Sequence, residues 1–444
     1  MQDLENSVLF ACIKSFAQNM RTMRHYLSQA ELLYYKYQKE SLFLDILKSY
    51  CESMNSLAND LSLIGLKSHG FQSFREYLMS YVRSDRFISL QSEAEKIKTD
   101  LSSVKYCVFT KGLRVQVRNY ESELDYSVEV EETFEKFKQG AVKNYKVNFP
   151  NLLEMNHVEA QILDGVAQIY PDIFSQLDSF YATNRDYPDA TIVLFDREIQ
   201  FYVAYLDYIA RFKGIGLEFC YPEISVTDKE VYDFKGFDLA LAGKLLNESL
   251  SIVTNGFYLR DKERVLVITG PNQGGKTTFA RTFGQLHFLA NIGCPVPGSE
   301  ARFFLFDKLF THFEKEEKIA NLRGKLEDDL VRIHKILHVA TPNSIIIMNE
   351  ILTSTTLQDA IFLSKEIMKK IGEKDLLCVW VTFIDELASF SQHTVSMVSL
   401  ADPLNLDLRT FKIVRKPADG LAYALSIAEK YGLLYENLKA RIKS

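Results

Sequence analysis

The stretch Arg264–Thr278, RVLVITGPNQGGKTT, decides how the rest of the chain is read. Its first six residues, Arg264 to Thr269, form a short β-branched run with the composition of a buried parallel strand. Gly270-Pro271-Asn272-Gln273-Gly274-Gly275-Lys276-Thr277 then fits G-x-x-x-x-G-K-[ST], the spacing of a loop that cradles phosphates. Each residue type answers to the anion. Gly270, Gly274 and Gly275 let the backbone curl with its N–H groups inward, where a side chain would collide with phosphate. Lys276 places a positive charge on the β- and γ-phosphates, and the Thr277 hydroxyl can ligate Mg²⁺. The helix that begins here turns its positive end toward the anion. A glycine turn that merely spelled the motif would lack the apolar strand before it and the helix-like TFARTFGQLHFLANI after it. The expected ligand is a nucleoside triphosphate.

Such a cradle needs an acid to hold Mg²⁺ and another to orient the attacking water, and the expected place is the end of a hydrophobic strand. Ser344-Ile345-Ile346-Ile347-Met348 is such a strand, with Asn349-Glu350 at its tip. Glu350 stands where a general base or water-positioning carboxylate belongs. Asn349 occupies the position usually taken by aspartate. It can offer a carbonyl oxygen to a metal-bound water, but no charge.

Around these two motifs the second half alternates strand and helix in the manner of an α/β sheet. The strand candidates are Val265–Thr269, Ser344–Met348, Leu377–Thr382, Thr394–Ser399 and Thr410–Val414. Helices are expected at Lys276–Asn291, Glu327–Ala340, Thr356–Ile371, Leu387–Ser391 and Tyr423–Tyr431. Upstream, a linker with strand-like pieces follows Lys213-Gly214-Ile215-Gly216, and the nucleotide-binding domain is expected to begin after Lys235.

The first half reads as helical. Phe43, Ile46, Leu47, Tyr50, Met54, Leu57 and Leu61 form one apolar stripe, closed by Gly65. Tyr34, Tyr35 and Tyr37 are expected in the core rather than on a nucleic-acid stacking surface. Tyr106–Phe109 and Leu113–Val117 flank Thr110-Lys111-Gly112, a hairpin signal. Helical periodicity resumes from about Phe134 to Tyr181, broken by Pro150 and Pro171. After a turn-rich joint at Asn184–Asp189 it continues from Val193 to Phe212.

Composition narrows the function class. The chain has 444 residues, 47% hydrophobic and 25% charged, enough for two or three domains with sizeable cores. A net charge of -6 argues against a strongly basic nucleic-acid coat. Lys136-Phe137-Lys138 and Lys143-Asn144-Tyr145-Lys146 read as solvated helix faces rather than phosphate contacts. The six cysteines are scattered without a C-x-x-C pair, which fits neither a zinc site nor a disulfide framework and points to a reducing cytoplasm. No apolar run is long enough to span a bilayer and MQDLENSVLF has no basic n-region, so a cytoplasmic protein with no membrane contact is expected. His312, His334 and His338 read as core or surface histidines. Glu314, Glu316, Glu317, Glu327, Asp328 and Asp329 read as a solvated loop.

In order, VTNGFYL (253–259), RVLVITGPNQGGKTT (264–278), ANIGCPVPGSEARFFLFDKLFTHF (290–313), ILHVATPNSIIIMNEILTSTT (336–356), VTFIDEL (381–387) and KPADGLAYALSIAEKYGL (416–433) make residues 236–440 resemble the ATPase domain of the MutS family, DNA mismatch-repair proteins of the ABC class. The resemblance implies an α/β P-loop NTPase domain at 236–444 behind a mostly helical core and lever at 1–235, with the small hairpin near 104–118. It implies that ATP binds along Gly270, Pro271, Asn272, Gln273, Gly274, Gly275, Lys276, Thr277 and Thr278, and that the backbone near Asn255 lies close to the adenine. Thr277 and Asn349 are then the candidate Mg²⁺ contacts, and Glu350 activates water. The resemblance further implies a homodimer whose ATPase domains pair head to tail, each lending a signature loop to the other's γ-phosphate, and DNA as partner.

Three positions depart from the family pattern. Asn349 replaces aspartate, Gly324 falls where a signature serine is expected, and Phe383 follows Thr382 where a γ-phosphate-sensing histidine belongs. Losing one such contact costs about 3–4 kcal/mol, a factor of about 10²–10³ in rate. ATP binding with slow hydrolysis is therefore expected, in a nucleotide-gated dimer acting on DNA. The alternative is an ATP-dependent scaffold or switch with protein clients. The Phe-x-Glu wedge of mismatch readers has one counterpart, Phe74-Arg75-Glu76, read as helix surface, so mismatch recognition by these residues is not expected.

Overall fold

A computed structural model describes residues 1–112, 114–123, 155–313, 324–402, 408–418 and 432–442. The chain divides into two compact units, 2–205 and 206–444, with Met1 assigned to the second.

In the N-terminal unit the helices are α1 (Ser7–Leu32), α2 (Lys36–Leu63), α3 (His69–Val82), α4 (Asp85–Ser103), α5 (His157–Ile169), α6 (Pro171–Thr183) and α7 (Ala190–Lys213), the last running across the division. Their starts are chemically marked. Asn6, Ser68 and Ser84 cap α1, α3 and α4, Asn156 and Glu159 form a capping box on α5, and Pro171 opens α6. All seven residues of the α2 stripe are buried, each contributing about 1.5–3 kcal/mol of apolar transfer. The helix stops at Leu63 with Ile64 extended, so Gly65 does not act as a left-handed cap. Tyr37 packs edge-on against Phe174 at 4.9 Å, but Tyr34 is 92% exposed in the turn between α1 and α2 and does not belong to the core. Of the Phe74-Arg75-Glu76 triplet, only Glu76 is exposed. Phe74 is buried against Phe195, with ring centroids 3.5 Å apart. β1 (Tyr106–Lys111) and β2 (Arg114–Asn119) pair antiparallel around Gly112, whose φ is +62°. Both lysine-rich patches and Pro150 lie outside the described residues.

The C-terminal unit is α/β. Its elements are β3 (Phe219–Cys220), β4 (Glu223–Ser225), β5 (Val231–Gly236), α8 (Leu239–Asn247), β6 (Asn255–Leu259), β7 (Val265–Thr269) and α9 (Lys276–Asn291). There follow β8 (Val296–Pro297), β9 (Glu300–Phe304), β10 (Leu309–Phe313), α10 (Lys325–Val339), β11 (Ile345–Asn349) and α11 (Leu357–Glu373). The series ends with β12 (Leu377–Val381), β13 (Thr394–Ala401), β14 (Arg409–Arg415) and α12 (Tyr435–Ile442). The helix expected at Leu387–Ser391 is a 3-10 turn at Asp385–Ser389, and the one expected at Tyr423–Tyr431 lies outside the described residues.

A six-stranded sheet runs β10-β11-β12-β7-β13-β14, parallel except for β14. β7, β11 and β12 are buried throughout, as strands covered on both faces must be. Trp380 of β12 is 1% exposed, between Val267 of β7 and Met348 of β11. Register fixes where chemistry can happen. Asn349 pairs with Val381, Val381 with Ile268, and Thr269 with Val398. The carboxyl ends of β11, β12 and β7 therefore lie level beside β13, the edge at which open α/β sheets bind ligands. A second sheet, β4-β9-β5-β6, carries Asn255 at the start of β6. Among the described residues no helix is long and apolar enough to cross a membrane.

Candidate functional site

The loop from β7 to α9 is a tight curl with three residues at positive φ: Gly270 (+115°), Gln273 (+59°) and Gly275 (+88°), the last at the N-cap of α9. Two of its glycines answer to the neighbouring strand. A Cβ on Gly270 would come within 2.8 Å of the Ser399 carbonyl oxygen, and one on Gly274 would strike the Ser399 hydroxyl. Ser399 is fully buried in β13, and its Oγ donates to the Gly274 carbonyl at 2.7 Å. Glycine is thus required at 270 and 274 by the strand behind the loop. A clash with phosphate, the reason expected from sequence, is not needed to explain them.

Lys276 opens α9 and is 4% exposed. Its Nζ donates to the carbonyls of Gly270 (2.9 Å) and Pro271 (3.0 Å) and lies 4.9 Å from the Phe383 ring centroid. Burial pulls its pKa down, Glu350 nearby pushes it up, and Arg409 pulls it down again, for a net lowering. The Thr277 hydroxyl donates to Asn349 Oδ1 at 2.8 Å. The two residues singled out as metal contacts, 72 positions apart in sequence, are therefore adjacent. Glu350 follows Asn349 in left-handed backbone (φ +51°), its amide donating to the Val381 carbonyl at 2.9 Å.

These groups face a cavity of about 610 Å³, within the range of small-molecule sites. Gln273, Gly274, Gly275, Lys276, Thr277, Thr278, Glu350 and Asn255 line it, and Leu241, Leu245, Ile252, Val253 and Phe411 give it an apolar side. Asp233 lies in the same wall. Burial, opposed only by the Gly236 amide, pushes its carboxyl pKa up to about 8. Gly270, Pro271, Asn272 and Asn349 stand behind the wall rather than in it. The Asn272 carbonyl accepts from Arg409 Nε at 3.0 Å. The Asn255 side chain spans two strands, donating to the Phe411 carbonyl (3.0 Å) and accepting from the Ile413 amide (2.8 Å). Phe411 itself holds φ +56°.

Gly324 is the exposed N-cap of α10, with residues 314–323 outside the described residues. Glu327 and Asp328 are exposed in the first turn of that helix, so with Asp329 they are helical rather than part of a loop. Asp329 is not merely solvated: its Oδ1 accepts from His312 Nε2 at 2.8 Å. His334 and His338 stack on the same helix, 6.3 Å apart. Sequence gave no sign of Ser399, Phe411 or the His312–Asp329 pair, because each depends on a strand-to-strand or strand-to-helix neighbour.

The fold and this edge define an α/β protein with a glycine-rich loop between a buried strand and a helix. The family model described as MutS domain V matches residues 266–438. DNA mismatch repair protein MutS of Chlorobium phaeobacteroides is 26% identical over 362 residues, 79% of this chain and 39% of that protein. MutS of Rickettsia africae is 27% identical over 233 residues (51% and 26%), and that of Rickettsia felis 30% over 188 (42% and 21%). The chain is thus similar to MutS proteins, with the domain V match confined to residues 266–438. It spans less than half the length of these curated relatives.

Proposed function

We propose that the C-terminal unit is a P-loop ATPase domain of the ABC type that binds ATP with Mg²⁺ and hydrolyses it slowly. One observation carries this reading: Lys276, Thr277 and Glu350, from two different strand ends, meet on the wall of one cavity. The loop amides and the start of α9 would take the phosphates, and the apolar side with Phe411 would take the base. Thr277 and Asn349 fit a magnesium ion that keeps several waters, since both offer neutral oxygens and already sit 2.8 Å apart. Bound there, the ion would offset charge on the β- and γ-phosphate oxygens. Glu350 would orient water. With Asn349 and Phe383 in place of an acid and a donor, the transition state would gain less stabilisation than those groups would give it, so turnover would be slow.

We extend the proposal to a homodimer closed by nucleotide and acting on DNA, in a process related to mismatch repair, as the names of the relatives suggest. The neutral Asn349 and the net charge of -6 favour a second reading, an ATP-held scaffold for protein clients. The test combines equilibrium ATP binding, light-scattering mass with and without ATP, and retardation of duplex, branched and single-stranded DNA across a salt series. ATP binding, a doubled mass and salt-sensitive DNA retention are expected. DNA retention absent even at low salt would select the scaffold, and absent ATP binding would overturn both.

A further inference from the structure

The turn that presents Glu350 is strained. Glu350 and Leu352 both adopt left-handed backbone, at φ +51° and +61°, a conformation that persists in non-glycine residues only where surrounding structure enforces it. Two hydrogen bonds hold it. The Glu350 amide donates to the Val381 carbonyl of β12 at 2.9 Å, and the Leu352 amide donates to Asp329 Oδ2 of α10 at 3.3 Å. The other oxygen of Asp329 accepts from His312 Nε2 at 2.8 Å. His312 is 1% exposed in β10, opposite Met348 of β11. Its Nδ1 has no hydrogen-bond partner among the described residues, so the ring proton belongs on Nε2, where Asp329 accepts it. Burial would push the Asp329 carboxyl up, but the hydrogen bonds from His312 and the Leu352 amide hold it below its ordinary value. The carboxylate stays ionised, able to accept from both sides.

Resting on the reading of Glu350 as the water-orienting group, we propose that His312 and Asp329 are a positioning pair for hydrolysis. Asp329 pins the Leu352 amide and with it the turn that aims Glu350 into the cavity. His312, rigid in the sheet, fixes the rotamer of Asp329. Neither lines the cavity, so neither touches the nucleotide. The pair ties the start of α10 to the tip of β11 through one side chain.

The test uses the full chain with Asp329→Asn, His312→Leu and His312→Gln. An asparagine offers one oxygen where two donors need acceptors, so Asp329→Asn must release one of them. The expected result is a single-turnover hydrolysis rate lowered about 10- to 100-fold, the scale set by small misplacements of a reacting group. ATP affinity should stay within about two-fold, the mark of an interaction made only on the way to reaction. Amide hydrogen exchange should rise at 350–352 and stay unchanged in β7. His312→Gln, which can still donate to Asp329, should keep most of the rate, and His312→Leu should not. A folded Asp329→Asn chain with wild-type rate and wild-type exchange at 350–352 would overturn the pair alone. So would a rate lost in step with affinity while exchange rises through the whole sheet. A wild-type chain that binds no ATP would overturn the cavity reading, and the pair's part in hydrolysis with it.

Discussion

At the end of β7 the loop offers backbone curl, ammonium and hydroxyl together, braced from behind by Ser399 of β13. Beyond it, the ends of β11 and β12 offer one carboxylate on the cavity wall, Glu350, with the neutral amide of Asn349 behind it and the Phe383 ring beside Lys276. The two edges are in register on the same sheet, yet only the first has every group that gripping a triphosphate requires. On the proposed reading, holding the nucleotide and cleaving it would be written on different strands, and substitutions on one side would alter turnover without collapsing the other. Lys276 shows the division within a single side chain: the loop carbonyls hold it on one side, and the Phe383 ring faces it on the other.

Four substitutions break or sharpen that contrast. Lys276→Ala removes the one ammonium in the loop and should weaken ATP binding by about 100-fold or more. Equilibrium binding measures it, and unchanged affinity would erase the distinction between the two edges. Glu350→Gln should leave ATP affinity intact while lowering single-turnover hydrolysis by about 100-fold. If affinity fell instead, the strand tips would belong to binding after all. Phe383→His supplies a donor beside Lys276 and should raise turnover by about 10-fold. A rate that does not move would place the deficit at Asn349. Ser399→Ala deletes one buried hydrogen bond under the loop, worth about 1 kcal/mol. ATP should then bind about five-fold more weakly, with hydrolysis of bound ATP unaltered. An equal loss in turnover would mean that β13 serves both edges.

Much of this is legible in the sequence alone. Val265–Thr269 and Lys276–Asn291 stand where the sequence puts them, because a continuous apolar run and a glycine-lysine loop leave little choice of period. β11 is displaced by one residue and includes Asn349, so the acid position sits inside the strand and only Glu350 turns beyond it. The four-stranded sheet is legible only as strand-like pieces before Lys235, not as a sheet. Its strands are three to six residues long and β5 mixes exposed with buried positions, so neither alternation nor a continuous run marks them. β10 is short and partly exposed, and stands out only as part of a family-like segment. In the site, the loop and Glu350 announce themselves by spacing. Ser399 is an ordinary strand serine, and His312 and Asp329 stand 17 residues apart, joined only by the fold. The stripe on α2 was readable for the same reason as β7, but Tyr34 was not: at a helix-to-helix turn, hydrophobicity no longer says which way a ring points.

Trp380 is the sole tryptophan of the chain, sealed at the middle of the sheet that carries both edges. Light absorbed at the red edge of the aromatic band is taken up by this indole and ignored by the many tyrosines of the helical unit. Emission should therefore follow the melting of the α/β unit alone, while far-ultraviolet circular dichroism sums over every helix. Overlaying the two signals during denaturation tells whether the chain comes apart in one step or two, with no label attached.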